Sequence, residues 1–423
     1  STPNHDTTDL PRVLLSRSNQ QVCLLSFETR HHLAMLSGSS RRSLLTVFNS
    51  MSKKPAPVQV SSWQSTMSVR ELSTTPFEDL GESPEDVLAR HFSEEVDITP
   101  LDGAGRSSVS GVVATVFGST GFVGRYVVNR LGRIGSQVML PFRGEENSWR
   151  HLKVMGDLGQ ISARRFDIRN EDSIARAVEH SNVVINLLGR DWTTRNFTMD
   201  QVHHRAAELI ARKSHEAGVI RLIHVGALGS DDCSPSDYMR TKALGEQAVL
   251  NAFPNATVLR PAPIFGAEDR LVIARAYMCR NMYMVPVLNP EARLQPLFVS
   301  DFATALMRCI EDSTTIGKSL DLAGPRAYTN AELTDAVAKL LNIEITKLPL
   351  TGMAAQIAAK IANLQINPFF TPDHVLSTAV DLTITDRQNN AIYDLGVEKP
   401  STVEEEAYRF IAQFQMPKHR LLI

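Results

Sequence analysis

The residues best placed to do chemistry begin with a loop. Gly118, Ser119, Thr120, Gly121, Phe122, Val123 and Gly124 form a GxxGxxG pattern between the apolar run VVATVF and the helical run GFVGRYVVNRLGRIG. Each glycine has its own task in such a loop. Gly118 permits the tight turn, Gly121 lets the backbone approach a pyrophosphate, and Gly124 lets the helix pack closely on the sheet. The free amides and the dipole at the helix N-terminus then favour phosphate. A glycine-rich turn holding no ligand is the competing reading, because the pattern alone is weak; the strand before it and the helix after it favour a nucleotide.

Nineteen residues beyond Gly124, the run SQVMLPFRG ends in Arg143. Sites that prefer NAD place an acid there for the ribose hydroxyls, whereas an arginine suits the 2′-phosphate of NADP. NADP(H) is therefore expected over NAD(H), with an ordinary surface arginine as the alternative. Asp167 in RRFDIRN ends the third strand and can reach the adenine amino group, or equally cap its own turn. Ile168 beside it, Leu187, Leu188 and Gly189 at the end of the fourth strand, and Pro261 within the sixth are assigned to the same cofactor surface. Asp191 and Trp192 follow at the ligand-binding edge, where they shape a pocket mouth or brace a loop.

These residues need a scaffold, and the pattern beyond residue 107 supplies one. Apolar strand candidates at 112–118, 136–142, 161–167, 182–189, 221–227 and 256–266 alternate with helical patterns. That order means right-handed crossovers and a parallel sheet covered on both faces. The fold class expected is α/β, a Rossmann-like doubly wound sheet with a smaller C-terminal region and an N-terminal extension. Four spans are expected: an Arg/Ser-rich arm at 1–70, an acidic linker with a short helix at 71–106, an NADP(H)-binding Rossmann domain at 107–270, and a smaller region at 271–423 that completes the fold and contacts partners.

The arm is basic and poor in acids, a composition that fits an organelle import segment or an arm that wraps a partner. In the linker, SPEDVLARHF reads as a helix capped by Ser83 with Pro84 at its first position. The 423-residue chain has a formal net charge of −2, which argues against a nucleic-acid surface. No stretch reads as a transmembrane helix. The cysteines, Cys23, Cys233, Cys279 and Cys309, are scattered and fit reduced thiols. The pairs His31–His32 and His203–His204 lack an accompanying acid or cysteine cluster, so no metal is expected. In GMAAQIAAKIANL, Met353, Ile357, Ile361 and Leu364 form a stripe that serves either as core packing or as an interface.

Past the glycine loop, the motif order resembles the extended or atypical short-chain dehydrogenases. YMRTK places Tyr238 and Lys242 at i and i+4, on one helix face. In active members of that family the tyrosine is the general acid/base, and the lysine lowers its pKa and holds the nicotinamide ribose. Those members also need a serine or threonine just after strand five; LIHVGALGSDD has Gly226 and Ala227 there, with Ser230 further on. The resemblance therefore implies a remnant pair that binds ribose without catalysis. The segments HLKVMGDLGQI, NVVINLLGRDW and AFPNATVLRPAPIFGAEDR are similar to the nucleotide-binding accessory subunits of mitochondrial respiratory complex I, the alpha subcomplex subunit 9 family. That resemblance spans about 105–345. It implies tightly held NADPH, other complex I subunits as partners, and a peripheral position on the matrix side of the inner membrane near the junction of the two arms, in support of assembly. An active NADPH-dependent reductase or epimerase using Tyr238 and Lys242 is the alternative.

Overall fold

Short apolar runs become the strands of a parallel sheet. The computed structural model describes residues 110–282, 284–363 and 370–415. The N-terminal arm, SPEDVLARHF, Cys23 and His31–His32 lie outside these residues. The strands are β1 (Val113–Phe117), β2 (Gln137–Phe142), β3 (Ile161–Arg165), β4 (Val183–Asn186), β5 (Arg221–Val225), β6 (Thr257–Pro261) and β7 (Ser319–Leu322). They pair in the order 7-6-5-4-1-2-3, and every pair is parallel.

Side chains alternate across this sheet with period two. Ala114, Val116 and Ile185 face a core with Val127 and Leu131 of α1 (Phe122–Arg133). Phe117 and Val184 face the opposite core, with Ile174 of α2 (Glu171–Val178), Ile210 of α3 (Ala206–Glu216) and Val249 of α4 (Asp237–Ala252). β4 and β5 are buried along their whole length, as expected of central strands covered on both faces. Beyond them come α5 (Val272–Asn281) and α6 (Val299–Glu311), whose Phe302 and Leu306 join the α1 side. The chain then returns through β7 and α7 (Asn330–Leu341), which starts at a capping box between Thr329 and Glu332. Three more helices follow: α8 (Gly352–Ala362), α9 (Pro372–Ser377) and α10 (Val403–Ile411).

Several expected strands stop short. β4 ends at Asn186, whose side chain accepts the Leu188 amide at 3.1 Å and turns the chain out of the sheet. The run 256–266 divides into β6 and a two-residue strand, Ile264–Phe265, which pairs with Leu297–Phe298. Pro261 and Pro263 lack the amides that a continuous central ladder requires. The helix expected from Met199 begins as a π-helical turn, Gln201–Arg205, before becoming α3. The stripe on α8 faces solvent: Met353, Ile357 and Ile361 are 80%, 55% and 65% exposed, whereas Ala355 and Ala359 are buried. Leu364 lies outside the described residues.

The sheet order reverses between β1 and β4, and the crevice beyond their C-terminal ends is where this architecture places its ligands.

Candidate functional site

At that crevice β1 runs through the glycine loop into α1. Gly118 has φ +80°, a conformation that disfavours a side chain. A Cβ on Gly124 would collide with the Gly118 carbonyl and the Ser119 backbone, so the helix reaches the strand only as glycine. The Gly121 amide closes the turn on Gly118 O at 3.0 Å. No side chain caps α1, and its first turn carries no acid. The Ser119 hydroxyl is buried without a hydrogen-bond partner. A cradle closed to side chains, an uncapped helix start and an orphan hydroxyl together fit a pyrophosphate.

Cations gather at the outer end of this cradle. Arg143 follows β2, Arg169 follows β3 and Arg190 follows β4. The guanidinium carbons of Arg143 and Arg169 sit 4.7 and 4.4 Å from the centroid of the Phe197 ring. Burial, and then the charge of Arg143, push the Arg190 pKa down, and its Nε is buried without a partner. Like charges brought this close repel one another, and an anion among them relieves the repulsion. Asp167 caps its own turn: Oδ1 accepts the Arg169 amide at 3.0 Å. Ile168 is buried and Leu188 packs against the same core.

The inner end is a cavity of about 510 Å³. Gly118, Gly121, Phe122, Val123, Gly124, Leu187, Gly189, Pro261, Tyr238 and Lys242 all line it, as do Asp191 and Trp192. Ser119, Thr120, Arg143, Asp167, Ile168 and Leu188 lie outside this lining. Trp192 stacks with two guanidiniums, those of Arg190 and Arg270, at 4.7 and 4.2 Å.

Lys242 is buried and donates from Nζ to the Val225 carbonyl at 3.0 Å. Burial lowers its pKa to about 8, opposed by Asp191. His203, from the π-helical turn, braces this wall. Its Nε2 accepts the Arg190 amide at 2.9 Å, which assigns the ring proton to Nδ1, 2.9 Å from Thr241 Oγ1. Burial holds His203 neutral. Its ring meets the Tyr238 ring edge-on at 5.5 Å. Burial raises the Tyr238 phenol, and Asp191 and Asp373 push it the same way. The wall at the end of β5 consists of Val225, Gly226, Ala227 and Leu228. The amides of Gly226 and Leu228 are spent on Leu259 O and Pro261 O, at 2.8 and 3.0 Å. This wall therefore offers no hydroxyl to a substrate carbonyl, and Ser230 is not among the cavity residues.

Comparison with known proteins matches residues 118–266 to an NAD(P)H-binding family. An Arabidopsis thaliana protein named NADH dehydrogenase (ubiquinone) 1 alpha subcomplex subunit 9, mitochondrial, is 41% identical over 294 residues, 67% of this chain and 73% of that protein. The chain belongs to the subunit 9 family. A ceramide reductase of Caulobacter vibrioides is 31% identical over 252 residues, covering 57% of this chain and 75% of the reductase. Among solved structures, an Escherichia coli NADPH-dependent quinone oxidoreductase complexed with NADPH is 18% identical. It aligns over 71% of this chain and all of its own with a TM-score of 0.57, a likeness of fold alone.

In this subunit 9 chain the glycine loop, Arg143 and the Tyr238–Lys242 pair were all accessible to sequence reasoning. Arg169, Arg190, Phe197 and His203 were not. Arg169 follows β3, Arg190 and Phe197 share the connection after β4, and His203 sits in the π-helical turn, with no motif spacing to link them. The aromatic residue in RNFTM and the arginine in LLGRDW were the available signals.

Proposed function

We propose that this chain is a non-catalytic accessory subunit of mitochondrial complex I that holds NADPH as a structural cofactor. It sits peripherally on the matrix side of the inner membrane, near the junction of the matrix and membrane arms, and supports assembly there. The observation that carries the non-catalytic reading is the β5 wall, where Gly226 and Ala227 supply no hydroxyl to orient a reacting carbonyl.

The residues divide the cofactor among them. Gly118, Ser119, Thr120, Gly121, Phe122, Val123 and Gly124 hold the pyrophosphate. Arg143 takes the 2′-phosphate, helped by Arg169 and Arg190. Asp167, Ile168, Leu187, Leu188 and Gly189 border the adenosine, and Pro261, Tyr238 and Lys242 border the nicotinamide ribose. Bound NADPH would supply a hydride; this chain keeps Tyr238 protonated and places no hydroxyl on the β5 wall. Support for NADPH over NADH lies in the three arginines and in the absence of an acid at the end of β2.

The second reading is an active NADPH-dependent reductase or epimerase. It is favoured by Tyr238 and Lys242 lining one cavity and by the similarity to a ceramide reductase. Turnover decides between the two. The purified full chain, loaded with NADPH and offered aldehydes, ketones and quinones, is expected to leave the nucleotide reduced; oxidation that Tyr238→Phe abolishes would replace the first reading with the second.

A further inference from the structure

The cavity does not end at the nicotinamide position. Leu271 at the N-cap of α5 and Arg275 within it, Leu294, Asn330 at the start of α7, and Phe370, Val380 and Leu382 from the C-terminal region extend its lining. This far part has a fixed charge that nothing in the cofactor reading uses. Arg275 donates from Nη1 to the Leu271 carbonyl at 2.8 Å and from Nη2 to Asn330 Oδ1 at 2.9 Å, both neutral acceptors. Burial lowers its pKa only to about 10, so it stays cationic at neutral pH.

The nearby carboxylates direct their hydrogen bonds elsewhere, while the Asp269 charge favours the Arg275 cation from a distance. Asp269 spends its oxygens on the amides of Gly266, Val272 and Ile273, at 3.3, 2.9 and 2.8 Å. Asp373 accepts from Ser236 Oγ and from the amides of Asp237 and Tyr238, at the start of α4. Glu268 accepts from Arg125 and Tyr126. Asp191 stands 4.0 Å from Arg270. Among the described residues, Arg275 makes no ion pair within 4 Å. Leu271, Leu294, Phe370, Val380 and Leu382 give the same cavity apolar surface. Val380, 44% exposed, marks where that surface opens to solvent.

We propose that this part of the cavity binds an anionic amphiphile, with a carboxylate or phosphate head on Arg275 and an apolar chain along Leu294 and Leu382 toward Val380. A buried guanidinium that hydrogen-bonds only neutral oxygens gains most from an anion with planar or tetrahedral oxygens. The apolar walls gain from covering an alkyl chain. The inference goes beyond the structural-cofactor reading and does not depend on whether the nucleotide turns over.

The test is calorimetric titration of the NADPH-loaded full chain with decanoate, decyl phosphate and decanol, all below micelle-forming concentrations. At least one anion is expected to bind tighter than decanol by about tenfold or more, the effect of a charged hydrogen bond. The tighter of the two anions identifies the head group as carboxylate or phosphate. Arg275→Gln is expected to erase the preference for the anion while the dihydronicotinamide absorbance stays with the protein after desalting. Equal binding of decanol and both anions, or an unchanged preference in Arg275→Gln, overturns the proposal. Should Arg275→Gln fail to fold, Val380→Asp serves at the open end. It should weaken the anionic amphiphile about tenfold and leave nucleotide retention unchanged; unchanged amphiphile affinity there overturns the proposal as well.

Discussion

Arg143 and Tyr238 stand at opposite ends of the crevice, and each makes a separate prediction. Arg143→Glu places an acid where the 2′-phosphate is proposed to lie. It should weaken NADPH by about tenfold or more and NADH far less, read by titrating both nucleotides; equal losses for the two would remove Arg143 from that role. Tyr238→Phe deletes a phenol that the chain holds protonated. It should leave electron transfer by the assembled complex unchanged. Lys242 gives a pH signature. Its folded pKa of about 8 lies below the ~10.4 of a free lysine. The unfolded chain binds that proton more tightly, so stability rises as pH climbs from about 8 toward ~10.4. Lys242→Met should flatten that rise in the nucleotide-free chain, measured by denaturant unfolding across the window. The glycine loop was legible in the sequence because a backbone constraint writes itself into consecutive residues. Arg169, Arg190 and Phe197 were not, because tertiary packing alone brings Arg143 and Arg169, from the ends of β2 and β3, to one ring and the Arg143 charge near Arg190.

At the scale of elements, the α1 start separates folding from binding. Asp is a strong N-cap, so Gly121→Asp should change the stability of the nucleotide-free chain by no more than about 1 kcal/mol. The same carboxylate repels phosphate at the helix start, so nucleotide retention should be lost. A large drop in melting temperature without nucleotide would show that the glycine serves the fold instead. The central strands were legible as buried apolar runs, but their ends were not. Asn186 halts β4 with a side-chain hydrogen bond, and prolines divide the run around Pro261, features that hydrophobic periodicity passes over. The α8 stripe shows another limit. Periodicity identifies an apolar face without saying what covers it, and among the described residues Met353, Ile357 and Ile361 are left exposed. Replacing all three with Gln should therefore change the unfolding free energy of the isolated chain only within the ordinary range for surface substitutions, about ±0.5 kcal/mol each.

At the scale of the whole molecule, a doubly wound sheet, an open nucleotide cradle and a β5 wall without a hydroxyl combine in one chain of the subunit 9 family. The fold alone would suit a reductase, as its structural relatives show. The proposed difference lies in what the nucleotide is for: tying β1, β2 and β4 together at their open ends so that a complex can be built around them. A ligand that binds only the folded chain stabilises it by mass action, and one never consumed does so permanently. The direct measurement is the nucleotide content of complex I purified in mild detergent, before and after turnover with NADH and quinone. The account predicts NADPH in equal amount to this chain, still reduced after turnover. A complex that assembles fully without the nucleotide, or a chain recovered free and oxidising NADPH with a substrate, would contradict it.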